Sequence, residues 1–305
     1  MSEDEDSFMI GDFPIVTFDT SAHNRLVDDG LRAEPILTKI NSELWFRFAG
    51  LSVEELSASS DPKREELFTS CRRLQNGPNE CLLPTNLLIE QLVLGHSNKP
   101  AAFDWKTVNV RWSDCERAIR NPEFFADEQD SKDQREFQRE RRNIGRRENE
   151  RQRVSLRPKI QAVFEEHGEE PPAAFRLAIS RLENAKGSSV WAVGQRFYDH
   201  VAKTGTDEAT IGEFMRVCPP FRALVYAMFI PWYNNAVRDH VVGKKLNAGS
   251  NDLFMSVYLP YCDWFVTAEK NGAQEKCLRE VASVAGLDTK ILSYDDFCQS
   301  FLVTA

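Results

Sequence analysis

The chain has 305 residues, of which 42% are hydrophobic and 28% charged, and its formal net charge is −9. That composition excludes wholesale disorder, and the length allows one large domain or two modest ones. The negative charge excludes attraction of polyanions by the global field, so any contact with nucleic-acid phosphate must come from a local basic patch.

The opening MSEDEDSF is acidic rather than apolar and predicts no secretory segment. No run reaches the ~20 apolar residues that a membrane helix needs; residues 221–232 are apolar but fewer, and they contain Pro231. The seven cysteines, Cys71, Cys81, Cys115, Cys218, Cys262, Cys277 and Cys298, include no CxxC pair and read as reduced, mostly buried thiols. Together these features predict a soluble cytoplasmic protein with no membrane association.

Residues 13–18, FPIVTF, form an apolar run without alternation, the pattern of a strand covered on both faces in a parallel α/β sheet. Asp19-Thr20-Ser21 follows at once, then HNRLVDDGL, which can turn helically. ELWFRFAGL at 43–51 reads as a second strand. Ser52-Val53-Glu54-Glu55 has a capping-box pattern, with Ser52 as N-cap and Glu55 at the third helical position. A helix opens at Pro62-Lys63-Arg64 and runs to Leu74, where QNGPN breaks it. Leu82-Leu83-Pro84 opens another, TNLLIEQLVLG.

From Trp105 to His240 the character changes. Glu, Arg, Gln and Ala abound, apolar residues recur at spacings of three and four, and helices are predicted over 153–166, 172–186, 189–203, 209–217 and 220–240. The stretch 123–159 is nearly devoid of apolar residues and reads as a long exposed helix or a partly disordered segment. Within it, 135–159 carries nine arginines and one lysine against four glutamates. Such a surface suits phosphate neutralisation, with Arg141, Arg142, Arg146 and Arg147 as candidate substrate-binding residues. A solvated helix with Arg and Glu paired at i,i+4, and a packing seam at Phe137 and Ile144, is the plainer account.

α/β alternation then returns. A short helix is predicted over 251–261, a strand over 262–267 (CDWFVT), an amphipathic helix over 274–285 closed by Gly286, and a last strand over 289–292. Strand, helix and strand at this spacing signal a βαβ unit. The chain thus divides into an N-terminal α/β half (1–104), a helical insertion (105–244) and a C-terminal α/β half (245–305), with no internal repeat.

The chemistry lies in where acids fall relative to strands. Asp19 directly follows the first strand, Glu269 lies just past the strand ending at Thr267, and Asp252 opens a helix after the turn NAGSN. In an open parallel sheet, strand carboxyl ends and the N-termini of the following helices converge on one edge, where ligands bind. Carboxylates gathered there raise one another's pKa unless a hard cation neutralises them, and Mg²⁺ or Mn²⁺ suits an all-oxygen pocket. Each acid also has a plainer role: Asp19 and Asp252 as N-caps, Glu55 in its capping box, Glu269 as an exposed turn pair with Lys270. Asp295 and Asp296 read as a turn with an N-cap. His23 is one helical turn past Asp19, in reach of a substrate phosphate but by default a packing or surface residue. No histidine pair suited to zinc, no Gly-x-Ser-x-Gly elbow and no Walker-type loop occurs.

FPIVTFDTSAHNRL resembles the opening of PIN-like domains, an apolar strand ending in Asp-Thr-Ser before a helix. NDLFMSVYLPYCDWFVTAEK resembles their closing motif: an acid at a helix start, an apolar strand about a dozen residues on, then Thr-x-acid. The resemblance spans roughly 1–100 and 245–305. It implies a ribonuclease-H-like three-layer α/β/α sandwich with a parallel sheet, interrupted here by the helical insertion, that hydrolyses phosphodiesters with divalent metal. Carried over, Asp19 is the first ligand, Asp252 the third, and Glu269 the fourth, where the family more often has Asp. The second acid falls on Glu54 or Glu55, with Glu55 favoured. Asp263 is a further candidate ligand, unless strand alternation turns it away. Thr20, Ser21 and Thr267 match small hydroxyl positions that orient carboxylates. The implied substrate is RNA ahead of single-stranded DNA. One step further, an unchecked nuclease is harmful and the helical insertion is a large surface for control, so a regulatory protein partner is expected, as in a toxin–antitoxin pair or antiviral system, with homo-oligomerisation open. The rival readings are a catalytically silent PIN-like scaffold that binds protein or RNA, and an unrelated α/β protein whose acids are all caps.

Overall fold

The structure is a computed structural model that describes residues 13–59, 62–75, 81–120, 162–168, 174–185, 189–236, 250–269 and 272–302, with isolated positions between 133 and 172. It is a mixed α/β protein, mostly helical, around a parallel four-stranded sheet. The strands are β1 (Ile15–Phe18), β2 (Trp45–Phe46), β3 (Trp264–Thr267) and β4 (Lys290–Ser293), in the order β2-β1-β3-β4. Val16 stands opposite Phe46 on one side and Trp264 on the other, so the two ends of the chain pair at the centre of the sheet. A single parallel bridge, Phe48 to Cys81, extends the sheet beyond β2, and an antiparallel bridge joins Leu82 to Arg111.

Both faces of the sheet are covered, as the unbroken apolar runs require. Val16, Phe18 and Val266 point to one face, whose core they share with α1 (Thr20–Asp29), α2 (Glu34–Glu43), α4 (Lys63–Leu74), α6 (Ser113–Arg120) and α13 (Tyr294–Leu302). Phe265 and Ile291 point to the other. There they meet α5 (Thr85–Asn98), α7 (Phe175–Asn184), α8 (Ser189–Ala202), α9 (Glu208–Val217), α10 (Pro219–Ala236), the 3₁₀ helix Met255–Tyr261 and α12 (Ala273–Ala285). Described residues between Phe164 and Tyr233 therefore share one hydrophobic core with Phe265 and Ile291 of the sheet.

Two predicted boundaries move. The strand expected over 43–51 shrinks to Trp45–Phe46, because Glu43 closes α2 and Gly50 opens α3 (Gly50–Ser57). α2 itself was not foreseen, although Pro35 at its start and buried Ile36, Leu37 and Ile40 are a helix signature. Gly50 sits where only glycine fits, since a Cβ there would lie 2.3 Å from the Leu82 carbonyl oxygen and 2.5 Å from the Pro84 nitrogen. Gly286 closes α12 as expected, in the left-handed region, while the Leu287 N–H reaches back to the Ala282 oxygen at 2.9 Å. Asp295 and Asp296 lie in the first turn of α13, and it is the Ser293 hydroxyl that accepts from the Asp296 N–H at 3.1 Å. No described helix is long and apolar enough to cross a membrane.

Candidate functional site

β1 and β3 are neighbours that deliver Asp19 and Thr267 to the same edge, at the point where the chain switches from building one side of the sheet to the other. That carboxyl edge is the ligand-binding locus of open parallel sheets. The Asp19 N–H donates to the Val266 oxygen at 3.0 Å, which extends the ladder by one residue and pins the aspartate between the two strands. Its side chain then caps α1, accepting from the Ala22 N–H at 2.7 Å. The capping role and the convergent role weighed from the sequence thus coincide in one residue.

Asp19 is 2% exposed and surrounded by hydroxyls. Thr267 Oγ1 donates to its Oδ2 at 2.7 Å, and Ser21 Oγ lies 2.8 and 2.9 Å from its two oxygens. Ser21 is held in turn by the Ala268 N–H, which donates to its Oγ at 2.8 Å. Burial pushes the Asp19 carboxyl up to about 6; hydrogen bonds from Thr267, Ala22 and Ser21 oppose the rise, and the charge of Glu55 adds to it. An acid drawn from one turn of α3 therefore acts on an acid that follows β1.

Glu55 reaches this cluster by a route the sequence did not suggest. α3 starts at Gly50 with Ala49 as N-cap and no side-chain cap, so the Ser52–Glu55 capping box does not form. Ser52 is buried inside the helix, where its hydroxyl donates to the Phe18 oxygen at 3.2 Å. Glu55 accepts a hydrogen bond from the Thr20 hydroxyl. The helix begins earlier because Gly50, with no Cβ, can press against Leu82–Pro84.

Glu269 enters through its backbone, with its N–H 3.4 Å from Thr267 Oγ1. Its carboxylate accepts from the Gln274 N–H at 2.7 Å and so sits on the N-terminus of α12, where the helix dipole favours negative charge. Gln274 was missed by sequence reasoning. Its Oε1 lies 3.1 Å from Thr267 Oγ1, and it is buried, which makes it the second anchor of the hydroxyl that touches Asp19. The available signal was a polar residue in the first turn of the helix after β3.

Asp252 is half-buried in the first turn of α11 (Ser250–Phe254). Met255, three residues on, accepts from Ser52 Oγ at 3.9 Å, so this segment abuts α3 one turn before Glu55. Asp263 is a correction. It precedes β3, and its Oδ2 accepts from the Ile15 N–H at 2.7 Å, at the amino end of the sheet. Four residues of strand, about 13 Å, separate it from Thr267, so it cannot share a ligand with Asp19. His23 is also a packing residue: it is buried, stacked on Phe48 at 5.9 Å, and burial lowers its pKa to about 3. Arg141, Arg142 and Arg146 lie outside the described residues, and Arg147 is an exposed helical residue.

Among the described residues, no three His, Cys, Asp or Glu side chains are grouped closely enough to hold a metal ion. The atoms offered at the edge are nonetheless all oxygen: two carboxylates, Asp19 and Glu55, with the hydroxyls of Thr20, Ser21 and Thr267. That set matches Mg²⁺, which commonly takes one or two protein carboxylates and fills its sphere with water and substrate phosphate. Comparison of the chain with family models, curated proteins and solved structures finds no match.

Proposed function

We propose that the chain is a PIN-like, metal-dependent nuclease that hydrolyses phosphodiester bonds, RNA ahead of DNA, at the carboxyl edge of its sheet. The observation that carries this reading is Asp19: a carboxyl at the switch point, tied by hydroxyls to segments nearly 250 residues away and raised to about 6 by burial, with the charge of Glu55 adding to the rise. A structural cap has no need of a second acid nearby. The helices on both faces of the sheet support the finer reading as a three-layer α/β/α sandwich.

In this reading Asp19 and Glu55 hold a Mg²⁺ or Mn²⁺ ion, and Asp252 and Glu269 complete the acidic rim. When bound, the ion makes water nucleophilic near neutral pH and offsets charge that accumulates on the phosphoryl oxygens. Thr267 and Ser21 fix the direction of the Asp19 carboxylate, and Gln274 and the Ala268 N–H fix those hydroxyls. No side-chain nucleophile is called for. Because Asp19 must be ionised to bind a cation, metal affinity rises as pH increases through about 6.

The second reading, a catalytically silent scaffold that binds protein or RNA, is favoured by one observation. Hydroxyl and backbone donors already engage both Asp19 oxygens, and the Glu269 carboxylate is occupied by α12. One experiment separates the two. End-labelled RNA and single-stranded DNA are incubated with the full chain in Mn²⁺, in Mg²⁺ and in EDTA, alongside Asp19→Asn and Asp252→Asn. Metal-dependent cleavage that both substitutions abolish supports the nuclease. RNA retention in EDTA, without cleavage and indifferent to Asp19→Asn, establishes the scaffold.

A further inference from the structure

A cleft lies at the opposite, amino edge of the sheet. It encloses about 490 Å³ and draws on five parts of the chain: β1, the residue after β2, Leu82, the segment from Trp105 to Arg111, and the turn from Pro260 to Asp263. Its size is within the usual range for small-molecule sites.

Its lining has two chemical characters. One is aromatic: Trp105 and Tyr261 meet edge-to-face with ring centroids 5.0 Å apart. The other is cationic. Arg47, Lys106 and Arg111 line the cleft against a single lining carboxylate, Asp263, which already accepts from the Ile15 N–H. Glu116, behind the lining, takes the Arg111 guanidinium at 2.7 Å. Among the described lining residues the cations outnumber the carboxylates, in a chain whose net charge is −9.

Two of these groups have no protein acceptor among the described residues and can turn to a ligand. Lys106 Nζ sits 5.7 Å from the Trp105 ring centroid and has no carboxylate partner among the described residues. The Trp105 indole N–H likewise has no acceptor among them. A pocket rich in unused donors and poor in acceptors selects an anion. An aromatic wall with an ammonium over its edge selects an anion joined to a flat ring.

We infer that this cleft is a binding site for a nucleoside monophosphate, its base against Trp105 and its phosphate toward Lys106. The site lies about 13 Å along the strands from the acidic edge, the rise of the four residues from Asp263 to Thr267. It is separate from the Asp19 cluster and does not rest on the nuclease reading.

The test is calorimetric titration of the full chain with AMP, GMP, CMP and UMP, with inorganic phosphate and adenosine as partial ligands. Saturable binding of one equivalent is expected, with each partial ligand at least roughly tenfold weaker. Lys106→Ala and Trp105→Ala are each expected to weaken binding roughly tenfold, the scale of a charged contact or a stacked base. Trp105→Phe keeps a ring and is expected to retain most of the affinity, which guards against a folding defect in the alanine variant. Asp19→Asn is expected to leave binding unchanged. The inference is overturned by an absence of saturable binding at millimolar nucleotide, by affinity that survives both alanine substitutions, or by loss of binding in Asp19→Asn, which would place the nucleotide at the other edge.

Discussion

The two edges of this one sheet are built by opposite means. At the carboxyl edge, residues that directly follow strands turn back on each other: Asp19 and Ser21 after β1, Thr267 and Ala268 at the end of β3, all within one hydrogen-bonded net. That edge is acidic and tightly hydrogen-bonded. At the amino edge the residues come from a strand start, a loop and a 3₁₀ helix end, they leave a cleft of about 490 Å³, and its charge is cationic. Parallel strands exit together, so the chain's own direction concentrates polar groups at one end and helix N-termini with them. At the other end nothing in the local chain direction gathers residues, and a cavity forms wherever loops fail to fill it.

The contrast is broken most severely through Asp19. Asp19→Asn keeps an acceptor for the Ala22 N–H but removes the charge, and cleavage should fall at least about 100-fold, beyond the loss typical of residues that only support a metal ligand. Its effect on stability runs the other way. The folded pKa of about 6 exceeds the ordinary 3.8, so between these values the folded state holds a proton that the unfolded chain has released. Stability from this group is full below about 3.8 and is lost as pH rises to about 6. Removing the charge should therefore raise metal-free stability at pH 7 by up to about 3 kcal/mol and change it little at pH 4. Urea midpoints in EDTA at the two pH values measure this. Equal shifts at both would mean that the carboxyl is not held protonated.

Gly50→Ala strikes the join between the edges. Gly50 opens α3, which carries Glu55, and its Cα faces Leu82, which lines the amino-edge cleft. A methyl group at 2.3 Å from a backbone oxygen must displace it, and a loss of about 1–3 kcal/mol is expected by chemical denaturation. A smaller step isolates one hydrogen bond. Thr267→Val removes the hydroxyl that lowers the Asp19 pKa, so Asp19 should ionise at higher pH still. Mn²⁺ affinity at pH 6 should drop roughly tenfold and recover partly by pH 8, with Thr267→Ser restoring it. Affinity that is lost equally at both pH values would point to packing instead.

How much of this was legible follows the same division. Asp19, Ser21, Thr267 and Glu269 could be read because each lies at or just past the end of an apolar run, and strand ends are local features. β3 and the close of α12 at Gly286 were legible for the same reason. Glu55 was identified with the wrong local partner: a capping box needs only four residues to be plausible, whereas the true helix start depends on Leu82–Pro84 pressing against Gly50. Asp263 was weighed only by the face that strand alternation gives it, whereas its place at the start of β3 puts it on the Ile15 N–H at the other end of the sheet. α2 went unseen between two louder signals. The amino-edge cleft had no signature at all, since Arg47 and Lys106 are ordinary charged residues until the fold brings Tyr261 between them.

The smallest effect is the sharpest test of whether the two edges are independent. Lys106 is exposed, its ammonium lies 5.7 Å from the Trp105 ring centroid, and it has no carboxylate partner among the described residues. Lys106→Ala should therefore change the urea midpoint by no more than about 0.5 kcal/mol, the range of surface substitutions that disturb no buried group. Its cleavage rate without added nucleotide should equal that of the parent chain, because the lysine stands a strand's length from Asp19. A proportional fall in cleavage and in RNA affinity would join the edges into one surface, with the substrate strand running from the cationic cleft to the acids. Unchanged cleavage beside weakened nucleotide binding would keep them as two sites on one sheet, each set by the end of the strands at which it lies.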